Sequence, residues 1–450
     1  MKKRKRKLKI KGITYILTII FTLCILGIGY LGYTLIFKDN HKAIFLETIE
    51  RNNYANIDYY AIYGIHMNLK GSFTLEEDVN DLALVLKNEN EEITIPWALE
   101  QNNQNYTFTT SEYINEGIVL ENIPIGEYYL LIKTIGTDEN NEEVIKYYSL
   151  QNQTTYNDLE YYTLTKDNKN NKIDIEWNTY EEIPTLRFTI KETTLPDDVY
   201  DITIDPGHGG SDPGKTACSD GSVTNSLGYC NSGNLISESN QNLQVALQLK
   251  EDLENLGYKV ILTRETDERI SIYDPYGSAT TANDTKSKLN IAIHHNSSGV
   301  GTVKGLEVYI ANDTNLDFAS LFVDEITTLA NTATSTKQLY RVSDGIYQRF
   351  FTEEEILEDD VQPSNKTTET IYYYYLREVG GISTHATNDG RYFPTYSKNE
   401  HYNSNNTAES YLFELGYMDN YSDLLNIMQN TSGYAEGLAT AISKYLAQEE

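Results

Sequence analysis

The stretch Asp205-Pro206-Gly207-His208-Gly209-Gly210 follows the alternating run Tyr200-Asp201-Ile202-Thr203-Ile204. Alternation of this kind reads as a β-strand, and the glycine-rich turn behind it hangs a single imidazole at the strand's carboxyl end. In layered α/β folds ligands bind at that edge of the sheet.

The residues downstream support such a fold. Between Glu238 and Leu256, the residues Leu243, Ala246, Leu247, Leu249, Leu253 and Leu256 recur at helical spacing, and Gly257 stops the helix. Further strands are expected at 258–263, 289–293, 306–310 and 411–413, with helices at 318–330 and 434–446. This alternation predicts an α/β domain over 199–450 with a mixed, mostly parallel sheet flanked by helices. Between about 341 and 406 the periodicity fades into acidic runs and four consecutive tyrosines, Tyr372 to Tyr375, which reads as an insertion near the cleft.

Residues 50–192 read differently. Short β-rich runs such as Leu82-Ala83-Leu84-Val85-Leu86 and Lys172-Ile173-Asp174-Ile175-Glu176-Trp177 are split by polar turns. That spacing predicts a β-sandwich-like accessory domain for binding or spacing, with 193–198 as a linker. His41 and His66 have no ligand pattern around them and read as structural.

The first eleven residues carry eight Lys and Arg and no acids, and Ile13 to Phe37 is uncharged and mostly apolar. A helix of that length exceeds the roughly 30 Å hydrocarbon core, whereas a cleaved signal has an apolar stretch of about 7–15 residues. Residues 13–37 are therefore expected to be an uncleaved, single-pass transmembrane anchor. The positive-inside bias puts the basic tail, 1–12, in the cytoplasm and the rest outside the cell membrane. Beyond residue 12 the chain has 28 basic against 66 acidic residues, a formal charge of −38, which argues against nucleic acid as a partner. The same field repels anionic polymers, so an anionic substrate has to be held by local contacts.

Of three cysteines, Cys24 lies in the apolar stretch, leaving Cys218 and Cys230 as the exported pair. A disulfide and two free thiols both remain open, because spacing does not fix the Cα separation. Zinc held by cysteine is disfavoured without C-x-x-C spacing.

A catalytic zinc takes three protein ligands from His and carboxylate and leaves a position for water. His208 and His294 each sit past a strand end and Glu238 opens a helix, so the fold can bring all three to one edge around a single Zn2+. Amide hydrolysis also needs a proton shuttle, and Glu414, following Tyr411-Leu412-Phe413, is the candidate general base and acid. Only one of His294 and His295 can face a metal, since neighbouring strand residues point opposite ways. His385, in the insertion, is a further residue that could reach the cleft.

These residues resemble the zinc-dependent N-acetylmuramoyl-L-alanine amidases, cell-wall hydrolases with a D-P-G-H-G-G turn, a ligand Glu opening a helix, an I-H-x-N element and a late E-L-G-F-type segment. Here they stand as Asp205 to Gly210, Glu238 to Leu243, Ile293-His294-His295-Asn296 and Glu414-Leu415-Gly416-Tyr417, over about 199–446. The resemblance implies zinc on His208, Glu238 and His294, Glu414 as base and acid, and peptidoglycan cleaved between the muramic lactyl group and L-alanine. It selects His294 over His295. The stretch between Gly214 and Glu238, and the region before Glu414, are longer than the family pattern. Two alternatives are a non-catalytic wall-binding protein of this fold, which retention of all four residues argues against, and another exported zinc amidohydrolase or peptidase.

Overall fold

The computed structural model describes residues 48–348 and 406–448, apart from 76–78, 112–115, 154–157, 165–168, 223–227, 271–275, 279 and 311–315. The basic tail, the apolar stretch 13–37, His41, His385 and most of the insertion lie outside the described residues. Among the described residues no helix is long and apolar enough to cross a membrane.

The amino-terminal part is built from β1 (Ile49–Tyr63), β2 (His66–Thr74), β3 (Asp81–Lys87), β4 (Glu92–Ile95), β5 (Ala98–Asn102) and β6 (Asn105–Thr109). It continues with β7 (Ile118–Val119), β8 (Gly126–Thr137), β9 (Glu143–Asn152), β10 (Leu159–Tyr162), β11 (Asn170–Tyr180) and β12 (Ile183–Thr193). The sequence predicts the two leaves of a sandwich. In the structure the strands are joined into one hydrogen-bonded sheet that forks at β8. One edge of β8 pairs first with β12 and then with β9, while the other pairs with β3. Alternate residues from both arms, among them Ile57, Leu69, Leu84, Leu130, Leu150, Ile173 and Phe188, close on one core.

The carboxyl-terminal part comprises β13 (Ile202–Pro206), β14 (Thr216–Cys218), β15 (Leu235–Ser237), α1 (Glu238–Asn255), β16 (Val260–Leu262), α2 (Thr281–Asp284) and β17 (Leu289–Asn296). After these come β18 (Glu307–Tyr309), α3 (Leu316–Leu329), β19 (Arg341–Ser343), β20 (Ile346–Tyr347), β21 (Asn406–Thr407), β22 (Glu409–Tyr417), α4 (Tyr421–Gln429) and α5 (Thr431–Gln448). Seven strands form a mixed, mostly parallel sheet in the order β16-β13-β17-β22-β18-β20-β19. Ile202, Ile204, Leu289, Ile291, Ile293, Tyr411 and Phe413 pack with residues of α1, α3 and α5 in one apolar core. Residues 341–347, expected to open the insertion, form the last two strands at one side of this sheet.

The chain leaves β13 toward β16 on one side and leaves β17 toward β18 and β22 on the other. The crevice between the carboxyl ends of β13 and β17 is therefore a topological switch point, where side chains can converge without a helix covering them.

Candidate metal centre

His208 sits just past β13 with φ +65, and the two glycines after it also have positive φ, +139 at Gly209 and +57 at Gly210. A left-handed non-glycine residue costs of order 1 kcal/mol or more and persists only where its surroundings enforce it. They do so here through Asp212, whose Oδ2 accepts from His208 Nδ1 at 3.0 Å. That bond fixes the tautomer and turns Nε2 toward Glu238 Oε1, 3.2 Å away.

Glu238 is the first residue of α1, where the helix dipole favours a carboxylate, and it is only 2% exposed. Backbone donors aim it: Lys215 N–H gives to Oε2 at 2.8 Å and His295 N–H to Oε1 at 3.1 Å. Lys215 is delivered by the hairpin of β14 and β15, whose far end is closed by a disulfide between Cys218 and Cys230 with Cα atoms 5.6 Å apart.

His294 lies on β17 with Nδ1 3.2 Å from Glu238 Oε1. The neighbouring His295 turns the opposite way into the core, where its Nδ1 meets Asn242 Oδ1 at 2.7 Å. Burial lowers its pKa to about 4, so it stays neutral. Asn242, one helical turn after Glu238, also donates to Gly207 O at 2.9 Å and so ties α1 to the glycine turn.

The ligand atoms of His208, Glu238 and His294 all lie within 4.8 Å of one another. Two imidazoles and a carboxylate, partly open to solvent at His208 (28%) and His294 (19%), suit a divalent cation of zinc's preferences. Although burial opposes its charge, Glu238 and Asp212 push the His208 imidazole up to about 9. Burial likewise opposes the Glu238 charge, yet its hydrogen bonds to His208 and His294 hold the carboxyl well below the usual range. The pocket thus has the field that a bound cation satisfies.

Glu414, half-buried on β22, is the direct register partner of His294, so the two side chains leave the sheet on the same face. Between that pair and Asn296↔Tyr417 the β22 strand carries one extra residue, a bulge at the site. On its other edge Glu414 is paired with Glu307, which is fully buried. Glu307 accepts from Ser335, Tyr417, Tyr309, Asn296 and Lys337. Sequence reasoning missed Asp212 and Glu307. The spacing of Asp212 from His208 was a readable signal, whereas the donors around Glu307 converge only in three dimensions. His66 is buried and bonded to Tyr445 Oη at 3.1 Å, apart from this cluster.

Residues 202–445 match the profile of a protein family described as N-acetylmuramoyl-L-alanine amidase. A sporulation-specific N-acetylmuramoyl-L-alanine amidase of Bacillus subtilis strain 168 is 38% identical over 114 residues, which are 25% of this chain and 36% of that protein. The alignment thus spans about a third of that relative's length. Among solved structures, an N-acetylmuramoyl-L-alanine amidase from Clostridium difficile 630 is 20% identical, covering 56% of this chain and 100% of that one, with a TM-score of 0.35. The catalytic domain of the amidase CwlV from Bacillus (Paenibacillus) polymyxa var. colistinus is 19% identical over 55% of this chain and 99% of its own, with a TM-score of 0.36. With more than half of its residues inside the matched profile, the chain belongs to the N-acetylmuramoyl-L-alanine amidase family.

Proposed function

We propose that this protein hydrolyses the amide between the lactyl group of N-acetylmuramic acid and L-alanine in peptidoglycan, using zinc held by His208, Glu238 and His294. The observation that carries this reading is the approach of His208 Nε2 and His294 Nδ1 to one Glu238 oxygen, with Glu414 in register beside His294. A zinc ion there supplies Lewis-acid polarisation of the carbonyl and a water acid enough to ionise near neutral pH.

The chain's own residues do the rest. Asp212 keeps the proton of His208 on Nδ1, leaving the Nε2 lone pair for the metal. The Lys215 and His295 amides hold the Glu238 carboxylate in place. Glu414 takes a proton from the attacking water and gives it to the departing L-alanine amine, which would otherwise leave as an unstable anion.

Residues 13–37 anchor the chain in the cell membrane in this reading, with the enzyme facing the wall. The Cys218–Cys230 disulfide supports an oxidising, extracytoplasmic location for it. Purified sacculi incubated with the full chain should yield peptides with a free L-alanine amine and muramic acid free of peptide, read by mass spectrometry. Glu414→Gln should keep the metal and lose about 100- to 10,000-fold in kcat. Wild-type digests in which every lactyl amide stays intact would refute the reaction, and a Gln variant with normal turnover would refute the shuttle.

A further inference from the structure

The metal site opens into a cavity of about 130 Å3 whose walls include His208, His294, Asp212, Ser278 and two arginines, Arg264 and Arg269. The two guanidinium groups differ in what they have left to offer. Arg264 is buried, and its donors are committed to backbone carbonyls: Nε to Pro206, Nη1 to Thr266, Nη2 to Gly207 and Ser239. It braces the glycine turn against α1.

Arg269 is exposed, and its charge acts on the Asp212 carboxylate in the same wall, helping to hold that carboxyl below its usual range. Its backbone is nevertheless fixed. The segment 264–270 lies across the glycine turn, with Gly210 N–H donating to Asp267 Oδ1 at 2.9 Å. It lies so close that a Cβ at Gly209 would come within 2.0 Å of Glu268 O, and one at Gly210 within 2.8 Å of Arg269 N. A cation is thus carried on a backbone of set position, in the wall of the cavity that also holds His208 and His294.

We propose that Arg269 determines specificity by binding a free carboxylate on the peptide side of the scissile amide. The assignment rests on the amidase reading above. In such a substrate the lactyl carboxyl is consumed in the scissile bond itself, so a free carboxylate near that bond belongs to the peptide. Beyond residue 12 the chain has 28 basic against 66 acidic residues, a formal charge of −38, so its long-range field repels an anionic peptide. A local guanidinium offsets that repulsion where it matters, and its planar fork matches a carboxylate's two oxygens.

The test compares the full, zinc-loaded chain with its Arg269→Gln and Arg269→Lys variants on a synthetic muramoyl peptide, once with the carboxylate of its second residue free and once amidated. The wild type should favour the free acid in kcat/KM. Arg269→Gln should lower that preference roughly tenfold or more, through KM, and Arg269→Lys should restore part of it. Metal content is read in parallel. A preference unmoved by Arg269→Gln overturns the assignment. So does loss of zinc in that variant, because Arg269 would then be acting through Asp212 and His208. Wild type that cleaves neither peptide overturns the amidase reading, and the assignment falls with it.

Discussion

Gly207→Ala tests the proposed metal centre without replacing any of its proposed ligands. A Cβ built on Gly207 would lie 2.1 Å from His294 Cε1, 2.3 Å from Nε2 and 2.6 Å from Nδ1. Unbonded carbon atoms rest about 3.5 Å apart or more, so the imidazole has to withdraw by about 1.4 Å. The backbone cannot give way instead. Gly207 N–H donates to Ile293 O at 2.9 Å, and its carbonyl accepts from Asn242 and Arg264. Zinc–nitrogen bonds hold to about 0.2 Å, so a shift several times larger removes His294 as a ligand. The expected loss of zinc affinity exceeds the roughly 10–100-fold that an outer hydrogen-bond partner costs. Overpacking itself costs about 1–3 kcal/mol, so the fold survives with a melting temperature lowered by several degrees. Chelator competition gives the affinity and calorimetry the melting point. A variant that folds and binds zinc as tightly as the wild type would show that His294 is not a ligand in the way its position implies.

Asp212→Asn removes the carboxylate that orients His208 and should weaken zinc binding about 10–100-fold with the fold intact, measured by the same competition. Cys218→Ser with Cys230→Ser frees a loop of sequence separation 12 behind the strand pair that positions Lys215 and Glu238. It should cost about 2–3 kcal/mol and increase zinc off-rate, and unchanged melting and metal release would contradict that role. His66 is buried, which lowers its pKa from 6.5 to about 4, so between those values the unfolded chain binds a proton that the folded chain refuses. Its contribution to stability is complete above about pH 6.5 and falls away toward pH 4. His66→Gln should therefore flatten the melting temperature across that window, and a wild-type slope in the variant would count against the argument.

The parts legible in the sequence were those carried by local signals. The helix expected over 238–256 spans Glu238–Asn255, because helical spacing and Gly257 both mark it. The strand expected over 289–293 runs on to Asn296, through His294 and His295, because its partner β22 extends the ladder. α4 was missed although its cap was readable: Asn420 accepts from the Ser422 and Asp423 amides. The fork at β8 was not readable, since which strand shares an edge with which is a non-local fact. Nor was the disulfide, since only the folded hairpin brings Cys218 and Cys230 together.

The two parts of the molecule meet at the amino ends of the strands that bear the site. The turn between β1 and β2 reaches the start of β22, where Tyr63 Oη accepts from Ser410 N–H at 3.2 Å. A Cβ on Gly64 in that turn would stand 3.1 Å from Glu409 Cβ and 3.3 Å from Lys288 O, so the approach is tight, and the φ of +63 favours glycine there. β21 leaves the seven-stranded sheet altogether and pairs with β1. Ile65 and Leu164, from the amino-terminal part, belong to the same apolar core as Ile204 and Leu438. Beneath them Lys288 is buried 3.7 Å from Asp201 and 5.3 Å from the centre of the Tyr161 ring. Burial opposes the charge of Lys288, and Asp201 offsets part of that cost. The amino-terminal part therefore packs directly against the domain that carries the site. It contacts the starting ends of β17 and β22, the strands that carry His294 and Glu414 toward their far ends.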